Sequence, residues 1–253
     1  MKKRAWEIVK FAGAVLLALA VWYLLSRLPR LRVLLASPVD VARRLIQLPG
    51  TAAFWASLWY TGKRIMLGFA AGLVPGVLLA IPAAHSRTVE TLLRPYMLTV
   101  KSVPVASFVI IVLIFFSSAR LSVIISALMV LPIIYTNTLA GIRSADPALE
   151  QMARVFELPP MRRLLYVRLP QIRPFFLSGC SVSLGLCWKA GVAAELIGIP
   201  RGSVGERLYG AKIYLDTADL FAWTVVIVAL SFAFEKAVMG LLTLFFRRWE
   251  HVR

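Results

Sequence analysis

The side chains that could carry out chemistry are few, and their spacing forms no familiar catalytic set. His85 and His251 are isolated at the edges of apolar runs, so neither is predicted to bind a metal. Cys180 and Cys187 share one apolar run; on a helix they would lie about 10 Å apart, too far for a disulfide. We find no Ser-His-Asp set, no metal-ligand cluster and no phosphate-binding Gly-x-x-x-x-Gly-Lys-Ser/Thr loop. The chain is therefore predicted not to be an enzyme and to hold no cofactor.

The other chemically interesting residues are charges inside apolar runs, which are costly in a membrane and usually face a cavity or a partner. Lys189 could attract an anionic ligand, but an interhelical ion pair with Glu235 would explain it equally well as a structural residue. Glu195 is predicted near the outer interface, in a structural or gating role. The candidate pathway residues are Lys101, Ser102, Trp188, Lys189 and Glu195.

Composition indicates what kind of molecule must position these residues. The 253 residues are 60% hydrophobic and 16% charged, with a mean hydropathy of +0.79. Soluble domains are about 45–50% apolar and about 25% charged, so this chain is predicted to span a membrane. The net charge of +17 could suggest nucleic acid, but the basic residues lie between apolar runs. That distribution fits cytoplasmic flanks and anionic lipid headgroups better, and no nucleic-acid partner is expected.

The apolar runs predict an all-α polytopic membrane protein with about six transmembrane helices and one domain over residues 1–253. The first run is longer than the core of a signal peptide, so it is interpreted as a retained helix. The predicted parts are an N-terminal helix at 6–27, an interfacial segment at 28–63 and a five-helix core at 64–246. Later spans are expected near 98–116, 121–139, 174–197 and 220–246, with a polar hinge at 85–94 and a glycine-rich loop at 198–219.

Glycines in the second span, near 65–84, are predicted to pack against another helix. Gly68, Gly72 and Gly76 recur at four-residue intervals, which places them on one face and allows two helix backbones to approach closely. The alternative is that glycine is simply common in membrane helices.

The polar connection from Arg143 to Pro170 contains a predicted helix. Asp146-Pro147 is a helix start, with an N-cap residue followed by proline at the first position. Pro159-Pro160 should end that helix. A helix between two membrane spans offers a surface that a partner subunit could bind and move.

This connection resembles the EAA loop of the permeases of binding-protein-dependent ABC importers. In that pattern Glu-Ala-Ala is followed by Gly and then by Ile-x-Leu-Pro. Leu169-Pro170 and Ala153 match it, whereas Gln151 replaces Glu and Glu157 replaces Gly, with Glu150 one residue out of register. Pro159-Pro160 could supply the bend that Gly would allow. The resemblance implies that these residues couple to an ATPase subunit: Glu150, Gln151, Met152, Ala153, Arg154, Phe156, Glu157 and Leu158.

Other stretches resemble the nitrate/sulfonate/taurine branch of that family. They are Gly68-Phe69 with Gly72 and Gly76, the stretch from Trp188 to Glu195, and Ile199-Pro200-Arg201-Gly202. The resemblance implies a permease for a small, anionic solute such as a sulfonate, taurine or nitrate, or alternatively for a thiamine-precursor-like heterocycle. The implied partners are two copies of a cytoplasmic ATPase that binds the ATP, an extracytoplasmic binding protein, a second copy of the chain and the lipid bilayer.

The distribution of charge predicts a bacterial inner-membrane protein with both termini in the cytoplasm, although the basic stretch from Arg27 to Arg64 opposes that orientation. Two other function classes are weighed. An ATPase-independent secondary transporter would need no coupling helix. An intramembrane enzyme would need the catalytic set that is missing.

Overall fold

The computed structural model describes residues 2–28 and 34–250, and within these ranges every regular element is helical. The prediction of an all-α polytopic protein is thus confirmed. His251 lies outside the described residues.

Eleven α-helices cover these two ranges, in chain order: α1 (Lys2–Ser26), α2 (Pro38–Gln47), α3 (Ala52–His85), α4 (Arg87–Ser102), α5 (Val105–Phe115), α6 (Ser118–Arg143), α7 (Pro147–Val155), α8 (Pro160–Arg163), α9 (Leu169–Gly198), α10 (Val204–Ile213) and α11 (Thr217–Glu250). A short 3-10 turn, Leu48–Gly50, precedes α3. A π-helical turn, Leu164–Arg168, joins α8 to α9 without a break.

Four of the described helices are long and apolar enough to cross a membrane. They are Ala52–His85, Ser118–Arg143, Pro160–Gly198 and Thr217–Phe246. A fifth candidate is the pair α4 and α5, which is bent by 104°. In α1 the described apolar part is Ala12–Ser26. The described residues thus hold four candidate spans, or five if the bent pair is one span, against about six expected from the sequence.

The centre of the fold is α6, which packs along α3 on one side and along α9 on the other. Glycines on α3 face α6 directly. A Cβ on Gly68 would lie 2.6 Å from Ser126 Cβ, and one on Gly72 would lie 2.6 Å from the carbonyl oxygen of Ala127. A Cβ on Gly76 would lie 3.0 Å from Ile134 Cβ. The two backbones therefore approach as closely as small residues allow.

The other helices cover this central layer. Helix α11 packs against α2, α9 and α10. Trp22 on α1 donates its indole N–H to the carbonyl oxygen of Ala36 (3.0 Å) and contacts Phe221 on α11. A salt bridge of 2.6 Å between Arg44 Nε and Asp219 Oδ1 joins α2 to the start of α11. Helix α2, which lies within the interfacial segment expected at 28–63, is therefore anchored to a membrane helix through Arg44.

Three of the predicted segments, a span, a hinge and a loop, differ from the structure. The span expected at 98–116 is broken at Val103-Pro104, because proline disfavours helical geometry in the preceding residue and supplies no N–H. The polar hinge expected at 85–94 is mostly the first half of α4, which Ser86 caps by accepting the N–H of Val89. The glycine-rich loop at 198–219 contains α10, whose N-cap Ser203 accepts the N–H of Glu206 at 3.0 Å.

Candidate coupling segment and pathway residues

Helix α7 starts as its sequence predicts. Asp146 Oδ1 accepts the backbone N–H of Ala148 at 2.8 Å, and Pro147 occupies the first helical position. The backbone N–H of Asp146 donates in turn to Gln171 Oε1 at 2.5 Å, and Gln171 Nε2 donates to the carbonyl oxygen of Val167 at 2.8 Å. The start of α7 is thereby fixed to the base of α9.

The end of α7 is a Schellman motif with Glu157 in the left-handed conformation, at a φ of 50°. Leu158 N–H donates to the carbonyl oxygen of Ala153 (3.0 Å), and Glu157 N–H donates to that of Arg154 (2.9 Å). Glycine is the usual residue at such a position because a Cβ is strained there. The interpretation that Pro159-Pro160 replaces the missing glycine was therefore wrong: Glu157 makes the bend itself.

Glu150 is the acidic residue that ties α7 to the chain that follows. Its carboxylate accepts from Arg168 Nη2 at 2.8 Å and also pairs with Arg163. Gln151, which aligns with the family's Glu, is exposed. The ion pairs are thus formed one residue before the aligned position. Helix α7 is thus anchored to the base of α9 at Asp146 and, through Glu150, to the segment that leads into α9.

The two faces of α7 differ sharply. Ala153 is fully buried, and α7 packs against the π-helical turn that contains Val167. The C-terminal end is apolar and exposed: 81% of Val155 and 72% of Phe156 are accessible, and Leu149 and Met152 are exposed as well. Arg154 is exposed and Leu158 is half-buried. Exposed apolar surfaces of this kind mark contacts with another protein or with a membrane.

The candidate pathway residues fall into two separate groups. Lys101 and Ser102 are exposed at the end of α4, where Lys101 Nζ lies 3.4 Å from Thr136 Oγ1 of α6. Trp188, Lys189 and Glu195 lie on α9. Lys101 and Trp188 line two different cavities, so the structure of one chain does not bring the two groups together.

Lys189 is exposed on α9, and the ion pair with Glu235 considered above is absent. Glu235 instead accepts a hydrogen bond from Ser181 Oγ at 2.6 Å. Next to Lys189, Trp188 is almost fully buried and packs edge-on against Phe234, with 5.5 Å between ring centroids. Lys189 is therefore a basic residue within a membrane span that no described carboxylate neutralises.

Glu195 lies in the interior of the helix bundle, near the end of α9, and it joins four helices. It is fully buried at the end of α9 and accepts hydrogen bonds from Thr61 Oγ1 of α3 (2.7 Å) and Ser122 Oγ of α6 (2.8 Å). The N–H of Gly205, on α10, is a third donor at 3.4 Å. Thr61 Oγ1 also accepts the N–H of Val204 at 3.0 Å. The geometry supports a structural role for this carboxylate, because it accepts hydrogen bonds from three other helices.

Several residues that complete these sites escaped the sequence analysis. Thr61 and Ser122 are polar residues inside apolar runs, and that interruption is the signal that could have drawn attention to them. The residues that anchor α7 (Arg163, Arg168 and Gln171) lie beyond the two prolines and carry no pattern that pairs them with Glu150 or Asp146.

The family described as "Binding-protein-dependent transport system inner membrane component" matches residues 72–251 of the chain. A Bacillus subtilis permease protein named for aliphatic sulfonates transport is 28% identical over 227 residues, which cover 89% of this chain and 81% of that relative. The taurine transport system permease protein of Escherichia coli is 28% identical over 242 residues, covering 93% and 88% respectively. The formylaminopyrimidine transport permease protein of Halalkalibacterium halodurans is 25% identical over 203 residues, covering 79% and 80%.

The fold also matches a solved structure, the crystal structure of an amino acid ABC transporter with histidines. The TM-score is 0.60, and the match covers 81% of this chain and 97% of that chain at 20% sequence identity. The arrangement of helices is therefore that of an ABC transporter membrane subunit.

Proposed function

Because the chain belongs to the family of binding-protein-dependent transport system inner membrane components, and is thus a permease of an ABC importer, we propose that it forms the pathway for a small anionic solute. Two copies of the chain would enclose the pathway, each gripped at α7 by one copy of a cytoplasmic ATPase. An extracytoplasmic binding protein would deliver a sulfonate, taurine or nitrate-like solute to the other side. Both termini would then lie in the cytoplasm of a bacterial cell.

The observation that carries this proposal is the construction of α7. Its exposed apolar end at Val155 and Phe156 offers a binding surface, while Glu150 and Asp146 fix the helix to the base of α9. In this arrangement a partner that moves α7 pulls on a membrane span. Closure of an ATPase dimer would supply that motion, and the ATP would be bound and hydrolysed on the partner.

The anionic class of solute is supported by the relatives and by charge. The sulfonate and taurine permeases are similar over about nine-tenths of this chain. Lys101 and Lys189 are exposed basic residues on membrane helices with no carboxylate paired to them in the part of the chain that the structure describes. Basic residues at such positions favour an anion over a cation.

A second candidate solute is a thiamine-precursor-like heterocycle, which the similarity to the formylaminopyrimidine permease favours. An importer of this heterocycle would work by the same mechanism and would differ only in the solute that its binding protein delivers. The family membership argues against the third possibility, a secondary transporter that works without an ATPase.

Co-purification tests the coupling role. The chain is expressed together with the ABC ATPase of the same organism that co-purifies with the wild type, and Phe156→Asp is compared with Tyr214→Asp. Tyr214, which follows α10, is 85% exposed and so matches Phe156 in character. We expect Phe156→Asp to lower the recovered ATPase at least tenfold and Tyr214→Asp to leave it unchanged. Equal recovery with both variants would contradict the assignment of α7 as the coupling helix.

Uptake into proteoliposomes tests the solute. The permease, its ATPase and its binding protein are reconstituted, and ATP-dependent uptake of labelled taurine, methanesulfonate and formylaminopyrimidine is compared. We expect uptake of the two sulfonates. Uptake of the pyrimidine alone would replace the anionic solute with the heterocycle.

A further inference from the structure

A cavity of about 400 Å³ lies between α4 and α6, away from both the coupling surface and the cavity at Trp188. Its polar lining consists of five side chains: Glu90, Arg94 and Lys101 from α4, and Tyr135 and Thr136 from α6. The cavity is large enough for a small organic ion and accompanying water.

The charges around this cavity are unbalanced. Glu90 is neutralised by Arg143, whose Nη1 and Nη2 donate to the two carboxylate oxygens at 2.8 and 2.6 Å. Arg94 and Lys101, seven residues apart, share a face of α4. Neither forms a salt bridge within the described ranges, and Lys101 Nζ has only the long contact to Thr136 Oγ1 at 3.4 Å. The cavity therefore carries two uncompensated positive charges.

Tyr135 supplies an independent observation that points to a ligand in this cavity. The residue is 3% exposed, and its hydroxyl is buried with no hydrogen-bond partner. A buried hydroxyl without a partner costs stability, so such groups are rare in native structures and call for an explanation. An acceptor bound in the cavity would provide the missing partner.

We propose that this cavity binds one small oxyanion, held by Arg94, Lys101 and the Tyr135 hydroxyl. Arg and Lys side chains and one O–H donor suit a sulfonate or phosphate group, whose oxygens accept hydrogen bonds. The Thr136 hydroxyl is not among the donors, since it donates to the carbonyl oxygen of Pro132 at 2.8 Å. A cation is disfavoured because the one carboxylate present is already paired with Arg143. The inference rests on the proposed function in that it makes the transported anion the expected ligand; a lipid phosphate could supply the same chemistry.

Direct binding to the assembled permease–ATPase complex tests the site, without the binding protein present. The complex is placed in phosphatidylcholine nanodiscs, and binding of labelled taurine and of inorganic phosphate is measured. We expect Tyr135→Phe to weaken binding about tenfold, which is the cost of one hydrogen bond to a charged group. Lys101→Gln and Arg94→Gln should weaken it at least as much.

Thr138→Val is the matched control. Thr138 lies three residues after Tyr135 on α6, and its hydroxyl is likewise buried without a partner, but it does not line the cavity. Binding should be unchanged in this variant. Because the Tyr135 hydroxyl has no partner without a ligand, Tyr135→Phe should not lower the melting temperature of the empty complex. Equal binding by wild type, Tyr135→Phe and Lys101→Gln would overturn the proposal.

A second experiment, with an anionic lipid, distinguishes the two sources of the oxyanion, which are the transported solute and a lipid headgroup. The complex is prepared in phosphatidylglycerol nanodiscs, and lipid retained after detergent exchange is measured for wild type and Arg94→Gln. Retention that depends on Arg94, with no taurine binding, assigns the oxyanion to a headgroup. Taurine binding that depends on Arg94 assigns it to the solute. If uptake of sulfonates fails while phosphate binding still depends on Arg94, the proposed solute is wrong but the oxyanion site stands.

Discussion

At the scale of single residues, the departures from the expected pattern are explained by local geometry. Glu157 occupies a position that favours glycine, and it adopts the left-handed backbone conformation although it has a Cβ. Glu150 makes the ion pairs that the alignment would have given to Gln151. In both places the backbone arrangement is retained with a different side chain. The geometry of a helix end can thus be retained when the residues that usually form it are replaced.

Replacing Glu157 with glycine should stabilise α7. The left-handed conformation costs a non-glycine residue roughly 1–2 kcal/mol, and glycine would remove that cost. Part of the resulting gain in stability is offset, because glycine has more conformational entropy to lose from the unfolded chain. With about 1 kcal/mol gained, amide hydrogen exchange in α7 should slow about fivefold. Gln151→Gly, at an exposed helical position of the same helix, should accelerate that exchange instead. Faster exchange in Glu157→Gly would contradict this account.

Removing the buried carboxylate of Glu195 should destabilise the whole chain. Glu195→Ala leaves the Thr61 and Ser122 hydroxyls and the Gly205 N–H without their acceptor, which costs about 1–3 kcal/mol for each buried group left unpaired. Glu195→Gln keeps one acceptor oxygen and nearly the same volume. We expect the alanine variant to lose most of its folded yield and the glutamine variant to keep more, as measured by size-exclusion chromatography in detergent.

Lys189→Met should reduce transport while leaving assembly intact. The side chain is exposed on α9 and has no ion-pair partner among the residues described, so its removal breaks no salt bridge. Uptake in the reconstituted complex should fall while co-purification with the ATPase stays at the wild-type level. Lys212→Met, at an exposed position on α10, serves as the control. Unchanged uptake would remove Lys189 from the pathway.

At the scale of elements, the contact between α3 and α6 dominates the packing, and α3 offers an internal comparison. A Cβ on Gly72 would lie 2.6 Å from a backbone oxygen of α6, whereas one on Gly62 would meet nothing within 4 Å. We expect Gly72→Ala to lower the melting temperature of the complex. Gly62→Ala should leave it unchanged or raise it, since alanine is about 1 kcal/mol more favourable in a helix. A similar effect of both substitutions would argue against close packing.

The sequence predicted some elements well and others poorly, for identifiable reasons. Asp146-Pro147 marks the start of α7 because capping is local chemistry. The sequence analysis missed the break before Pro104, because hydropathy shows which residues are apolar and does not show whether one helix continues through them. Helix α10 was missed because its packing against the Glu195 end of α9 depends on tertiary contacts.

At the scale of the whole molecule, the proposed orientation predicts opposite accessibility for two exposed residues. Phe156 follows α7 and Tyr214 follows α10, with the single span α9 between them. Phe156→Cys should react with a membrane-impermeant maleimide only after the cytoplasmic side is opened, and Tyr214→Cys should react in intact spheroplasts. The native Cys180 and Cys187 are buried and provide a low background. Labelling of both sites from the outside would contradict the topology.

The bend of 104° between α4 and α5 also bears on how the chain enters the bilayer during synthesis. Helix α5 has 11 residues and so extends about 16 Å, roughly half the hydrocarbon thickness. A segment this short cannot be retained by the insertion machinery on hydrophobicity alone. It must be held by neighbours that are translated later, since Val109 and Val112 are buried against Leu121 and Ile125 of α6 and Ala194 of α9. Insertion of this region is therefore expected to be completed only after α9 has left the ribosome.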